Sequence, residues 1–453
     1  MPTPNSRESA RGSATAGTAV TAAGHYRWFI CALLFFATTV NYVDRQILSL
    51  IKEILDREIG WTNEQFGWAN SVFQLTYGLG LVGFGWFVDR FGTKIGYAVS
   101  IGAWSVAAAA HALVGSFGGF VAARSFLGLG ESGNFPSSIK AVALWFPRRE
   151  RAFATSIFNS GANAGALIAP AVVPWLAYTF GWQSAFVAAG AAGFLWLFLW
   201  IPFYDVPEKS SRVGAAERAI IESDRDDRQS PNAIPWSTLL RCRQTWSFVI
   251  AKFLTDPVWW FFLIWLPDFF KQTRGLDIKH GWIHIVTIYG IVTVLSILGG
   301  WVTGQLTESG WSVTRARKTG MLFFAVCVLP VLVVTRVGDW TAVVLIGVAA
   351  AAHQAWSANL FTTVSDMFPK AAVASVVGIG GLAGSAGGFF FPVVTGRMLD
   401  HFKSQNNITA GYAILFGICA GAYLVAFVLN HLCAPRFEQV DLTPQSISRL
   451  RGE

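Results

Sequence analysis

The sequence predicts an all-α integral membrane protein with twelve transmembrane helices arranged as two six-helix, pseudo-symmetric halves. Three observations carry this expectation. Hydrophobic residues make up 53% of the 453-residue chain and charged residues only 13%, against about 25% charged in soluble domains, which is too little charge to cover a soluble surface. The apolar runs are continuous, as at 29–40 and 193–203, whereas the strands of a membrane barrel would alternate at every second residue. Landmarks of the first half also recur in the second at a constant offset of 222 residues.

A spanning helix needs about 20 apolar residues. Stretches of that kind run over about 26–50, 63–88, 95–114, 118–144, 151–177, 183–204, 245–270, 281–306, 317–335, 339–367, 372–399 and 409–432. Between the sixth and seventh lies a long polar segment, 205–244. It separates an N-terminal half, 26–204, from a C-terminal half, 245–432, and residues 433–453 form a short tail. Within the linker, 214–228 reads as a surface helix ended by Pro231 and Pro235. Residues 1–25 lack the apolar core of a signal peptide. They read as a disordered cytoplasmic tail, with a weak likeness to a transit peptide as the alternative.

Lysine and arginine placement sets the expected orientation. Eight basic residues (Lys52, Arg57, Lys271, Arg274, Lys279, Arg336, Arg397 and Lys403) fall in segments on the far side from the termini. Nearly three times as many fall on the side of the termini, so both ends are expected in the cytoplasm. Because the formal charge of +8 sorts by loop instead of forming one patch, it does not point to nucleic acid. The five cysteines lack disulfide or metal-site spacing and are read as packing residues.

The repeat is specific. Phe146-Pro147 matches Phe368-Pro369, Pro170 matches Pro392, Ala152 matches Ala374 and Gly165 matches Gly387, all at the same offset. Matching halves are how transporters rock around one central site. A channel or receptor has less need of them.

Charges inside spans are the next signal, because each costs about 2.5–3.5 kcal/mol at mid-bilayer unless it is paired or faces a wet interior. Span one carries Asn41-Tyr42-Val43-Asp44-Arg45-Gln46, and span four carries Arg124 and Glu131. The latter two are seven residues apart and share a helix face. An arginine fork grips a carboxylate bidentately, and a buried acid can carry a proton. Two acids and two arginines in one half therefore suit a proton-coupled carrier of carboxylates, while a boundary pair or a purely structural ion pair is the plainer reading. Gln74 and Tyr77 in span two, and Asn159 and Asn163 in span five, offer hydrogen bonds on shared faces, to substrate hydroxyls or to neighbouring helices. In span ten His353, Gln354 and Ser357 are similar candidates, and the 222 offset makes His353 the counterpart of Glu131. Gly128-x-Gly130-x-x-Gly133 spells a dinucleotide fingerprint but sits inside an apolar helix with no strand before it, so helix packing is the better account. Without a metal-ligand cluster or a nucleophile–base motif, neither an enzyme nor a cofactor or metal is expected.

The loop after span two, Gly85-Trp-Phe-Val-Asp89-Arg90-Phe-Gly92-Thr-Lys94, resembles the signature of the major facilitator superfamily, Gly-x-x-x-Asp-(Arg/Lys)-x-Gly-x-(Arg/Lys). It reads as a conformational latch. Asp89 would be held by basic residues and a helix N-terminus, Gly85 would permit a close helix approach, and Gly92 a tight turn. Asn41-Tyr42-Val43-Asp44-Arg45 and Arg124-x3-Gly128-x2-Glu131 are similar to motifs of the anion:cation symporter family within that superfamily. The segments around Phe253-Leu-Thr-Asp-Pro257 and Ala352-His353-Gln354 look like those of bacterial hexuronate transporters. The resemblance implies the major facilitator fold, proton coupling through Asp44 and Glu131, and anion contacts from Arg45, Arg124 and Tyr77. The function it implies is a proton-driven importer of galacturonate or glucuronate in the bacterial inner membrane. Its partners would be a small organic anion, protons and the lipid bilayer, and a monomer is expected. Alternatives are a carrier of hexonates, hexarates or other organic anions, or a non-transporting sensor of the same anions.

Overall fold

The computed structural model describes residues 25–223 and 235–441. The expected N-terminal tail up to residue 24, the linker residues 224–234 and the end of the chain from 442 lie outside the described residues. The described chain is helical and runs, in order, α1 (Tyr26–Leu50), α2 (Lys52–Ile59), α3 (Asn63–Phe91), α4 (Thr93–Ala110), α5 (Phe117–Glu131), α6 (Asn134–Trp145), α7 (Arg148–Phe180), α8 (Gln183–Phe203), α9 (Ala215–Glu222), α10 (Trp236–Leu239), α11 (Arg243–Arg274), α12 (Ile278–Glu308), α13 (Val313–Val328), α14 (Asp339–Met367), α15 (Lys370–Ser404) and α16 (Ile408–Cys433).

Ten helices among the described residues are long and apolar enough to cross a membrane. The 31-residue α12 and the α5–α6 pair complete the twelve expected crossings. The fourth crossing differs from the continuous span expected, because it breaks at Ser132–Gly133. Close packing surrounds the break. A Cβ on Gly128 would strike the backbone of α3 at Phe73, one on Gly130 the backbone of Trp104 on α4, and one on Gly133 the side chain of Ser100. These are the glycines of the rejected fingerprint, and they serve packing.

The repeat is visible as matched geometry. Pro147 and Pro369 occupy the N-cap positions of α7 and α15, and Pro170 and Pro392 lie inside the same two helices. Gly165 abuts α1 at Thr39 and Tyr42, and Gly387 abuts α11 at Phe253 and Pro257. Each half thus locks its fifth crossing onto its first through an equivalent glycine.

Across the halves, Gly67 and Asn63 of α3 meet Pro392 and Gly396 of α15. The polar ties described between the halves lie at the end away from the termini. Lys52 pairs with Asp268 at 3.0 Å, Lys271 with Glu53 at 2.9 Å and Arg397 with Glu64 at 2.8 Å. Asp400 accepts from the backbone N–H groups of Asn63 and Glu64 at the start of α3, where a helix dipole favours an acid. Phe66 packs edge-on against Trp265 beneath them.

At the opposite end α9 accounts for 215–222 of the expected linker helix 214–228, whose residues 224–228 lie outside the described residues, and it is docked onto the bundle. Glu217 is buried and accepts from the backbone N–H of Arg27 at 2.9 Å and from its guanidinium at 3.2 Å. The cysteines are unpaired, and Cys31, Cys242 and Cys419 are buried.

Candidate functional site

A cavity of about 450 Å³ lies between the halves, within the usual range for small-molecule sites of about 300–1,000 Å³. The N-terminal half contributes Tyr42 from α1 and Ser156, Asn159, Ser160 and Asn163 from α7. The other half contributes Lys252, Asp256, Trp259 and Trp260 from α11, Ser296 from α12, and His353, Gln354 and Ser357 from α14. The exposed members Asn159, Ser160 and Ala358 lie nearer the end that carries the termini. Of the residues singled out in the sequence, five therefore line one cavity: Asn159, Asn163, His353, Gln354 and Ser357.

The buried charges form a second zone beside it. Arg45 Nε lies 2.6 Å from Glu131 Oε2, with both side chains almost fully enclosed. The Arg45 guanidinium is wrapped by rings, with Tyr77 at 4.4 Å, Tyr42 at 5.1 Å, Phe73 at 5.3 Å and Trp260 at 5.9 Å. Tyr42 and Trp260 also line the cavity, so Arg45 sits one ring's thickness behind its wall. Arg124 donates to Asn70 Oδ1 at 2.9 Å and stacks on Phe73 at 4.8 Å. Asp44 is fully buried, neither of its oxygens has a hydrogen-bond partner in the protein, and it lies within electrostatic reach of Glu131, Arg124 and Arg45. Neither arginine is part of the cavity lining. Gln74 is buried at the seam between the halves, against Gly388 of α15.

His353 is held on two sides. Its ring stacks on Trp259 at 5.5 Å, and Nδ1 lies 2.5 Å from the Tyr423 hydroxyl. Span seven reads in the sequence as carrying Lys252, Asp256, Trp259 and Trp260, with its tryptophans candidates to stack on a sugar ring. The charged pair Lys252–Asp256, one turn apart on α11 with Nζ 2.7 Å from Oδ2, was not assigned a site role there, nor was Tyr42. The signal was present as a lysine and an acid four residues apart inside an apolar span.

The latch residues are placed unevenly. Gly92 has φ +84° and ψ 161°, a positive-φ backbone that glycine allows between α3 and α4. A Cβ on Gly85 would meet nothing within 4 Å, so the close approach expected there is absent in this conformation. Gly85 lies toward the end of α3 away from the described inter-half ties. Lys94 pairs with Asp205 at 3.3 Å, within the same half. Burial would raise the Asp205 carboxyl, but the Val206 N–H and the Lys94 ammonium outweigh it and hold the group below the usual carboxylate range. Arg90 is exposed, Lys140 Nζ donates to the Val88 carbonyl at 2.9 Å, and the Asp89 side chain lies outside the described ones.

The family model of the Major Facilitator Superfamily matches residues 34–392. The chain belongs to the Major Facilitator Superfamily. The hexuronate transporter of Escherichia coli K12 is 30% identical over 420 residues, covering 89% of this chain and 94% of its own. The "Probable galactarate/D-glucarate transporter GudP" of Bacillus subtilis is also 30% identical, covering 90% and 91%. Among solved structures, a bacterial homologue of the human lysosomal transporter Spinster, in an inward-facing and occupied conformation, superposes with a TM-score of 0.71 at 16% identity, covering 91% of this chain and 98% of that one. As a member of this superfamily the chain is a multi-pass membrane transporter and not an enzyme.

Proposed function

We propose that this facilitator is a proton-coupled symporter that imports sugar-acid anions, hexuronates such as galacturonate or glucuronate first among them. The supporting observation is the adjacency of the two zones. A cavity lined with amides, hydroxyls and indole rings suits a polyhydroxylated ring, and a buried acid–arginine pair stands one tyrosine away from it. The sugar-acid cargo of two relatives, each matched over about nine-tenths of both chains, supports the same reading.

The coupling follows from charge. With Glu131 ionised, its carboxylate neutralises Arg45. A proton on Glu131 releases that positive charge beside the Tyr42 wall and favours entry of an anion into the cavity. The unpartnered Asp44 is a second proton site in the same cluster, and Arg124 adds positive potential from behind Phe73. Asn159, Asn163, Gln354 and Ser357 hold hydroxyls, with Gln74 and Tyr77 supporting the inner wall. Importing a monoanion against an inside-negative potential costs about 2.3 kcal/mol per 100 mV; one cotransported proton cancels that cost. The distribution of basic residues among the loops supports cytoplasmic termini in a bacterial inner membrane, and on that orientation the exposed side of the cavity faces the cytoplasm. Gly85, Asp89, Arg90, Gly92 and Lys94 act as the latch when that side closes. The protein works as a monomer.

A second reading, carriage of hexarates, is favoured by the galactarate/glucarate relative. Uptake of labelled galacturonate and galactarate into proteoliposomes, with and without an imposed pH gradient, separates the two. Accumulation of galacturonate only with the gradient is expected. Uptake of neither acid, or accumulation indifferent to the gradient, would overturn the proposal.

A further inference from the structure

The cavity lining is polar but carries charge in one place among the described residues, the Lys252–Asp256 pair on α11. We infer that Lys252 is the anchor for the substrate's carboxylate, that Asp256 is its resident counter-ion, and that the pair selects for cargo bearing one carboxylate over two. This rests on the reading of the cargo as a sugar acid.

The position of each group carries the argument. Arg45 is paired with Glu131 and covered by Tyr42, and Arg124 is engaged by Asn70 behind Phe73. Lys252 is the cation that reaches the cavity. Its side chain is 8% exposed, and its ammonium rests 4.6 Å from the Phe361 ring centre, so the stem is fixed and the charge is partly desolvated. An ammonium carries three donors and can hold Asp256 and a second carboxylate together.

Asp256 is set in place by a gap in α15. A Cβ on Gly384 would collide with the Asp256 carboxylate, so only glycine leaves that acid room beside the lysine. Around the pair stand groups suited to the remainder of a sugar acid, with Trp259 and Trp260 for the ring face and Gln354, Ser357, Asn159 and Asn163 for hydroxyls.

Selectivity follows from the charge count. Lys252 and Asp256 sum to zero. One incoming carboxylate can share the ammonium with Asp256. A second carboxylate on the same cargo would enter a cavity whose single cation is already shared and which holds a fixed negative charge nearby. Asp256 thus works against dianions, as a repulsive element built into the site.

Calorimetric binding to the purified full-length protein tests this, with galacturonate as monoanion, galactarate as dianion and galactose as neutral sugar. The wild-type protein should bind galacturonate more tightly than the other two. Lys252→Gln should weaken galacturonate by about 10- to 150-fold, the loss expected for a hydrogen bond to a charged group, while changing galactose binding little. Asp256→Asn should raise galactarate affinity relative to galacturonate by about tenfold or more, on the order of one charge-assisted contact. Unchanged galacturonate binding in Lys252→Gln, or equal losses for acid and neutral sugar, would overturn the anchor. An unchanged ratio of the two acids in Asp256→Asn would overturn the selectivity, and it decides alone if Lys252→Gln does not fold. Binding of neither acid by the wild-type protein would instead overturn the sugar-acid reading beneath it.

Discussion

Replacing Asp268 by asparagine should loosen the end of the molecule that is closed here. Asp268 sits on α11 and takes Lys52 Nζ at 3.0 Å and the Tyr412 hydroxyl at 2.5 Å. The side chains of Lys52 and Asp268 are only 3% and 4% exposed. Burial alone would lower the Lys52 ammonium, but Asp268 and then Asp56 raise it above the usual lysine value, so the lysine keeps its charge. Removing one partner of a buried pair costs about 3–5 kcal/mol. Asparagine keeps an oxygen that can accept from Lys52 and Tyr412, and Asp56 stays 2.6 Å from Nζ, so about half of that loss is expected. In a form parted at this end both groups are hydrated and lose nothing. About 2 kcal/mol therefore falls on the closed form alone, a shift of about 30-fold toward the parted form. Spin labels at Arg57 and Lys403, one on each half, would report the separation. A longer-distance population should grow in Asp268→Asn and shrink again in the exchanged pair Lys52→Asp with Asp268→Lys. A distance distribution identical to wild type, with or without substrate, would show that this pair does not hold the end shut.

Glu131→Gln should abolish gradient-driven accumulation yet keep exchange of labelled for unlabelled substrate, because exchange need not release the proton; accumulation at the wild-type level would remove Glu131 from the coupling. Gly165→Ala should lower thermal stability in detergent by about 1–3 kcal/mol, as overpacking does, since its Cβ would press on the α1 backbone at Thr39 and Val43. Gly85→Ala meets open space and should be neutral or up to about 1 kcal/mol stabilising while slowing turnover, if a helix approaches it when the cavity closes; unaltered turnover would dismiss Gly85 from the latch. Because the Asp205 carboxyl is depressed, it stabilises the fold above its unfolded pKa, and that contribution is lost as pH falls through the folded value. Asp205→Asn should therefore flatten the acid limb of a thermal-stability profile.

The fold was legible because membrane insertion leaves a coarse mark: long apolar runs, a charge deficit and a repeat with fixed offset. The break in the fourth crossing was not, and neither were the close contacts beside it, of Gly128 with α3 and Gly130 with α4, which are facts of packing that periodicity does not encode. The site was half legible for a similar reason. A charge inside an apolar span announces itself, so Asp44, Arg45, Arg124 and Glu131 stood out, and the structure gathers them into one cluster. What the sequence does not state is which side of an aromatic wall a charge occupies. Arg45 and Lys252 look alike as intramembrane cations, yet Tyr42 covers one while the other lines the cavity. Under the proposed function, that difference gives them different work. A cation behind the wall, locked to an acid, can report a proton to the cavity through its field. A cation on the lining can touch the cargo. On the proposed reading, the proton sites lie in the N-terminal half and the carboxylate anchor in the C-terminal half, while both halves line the cavity at the seam between them.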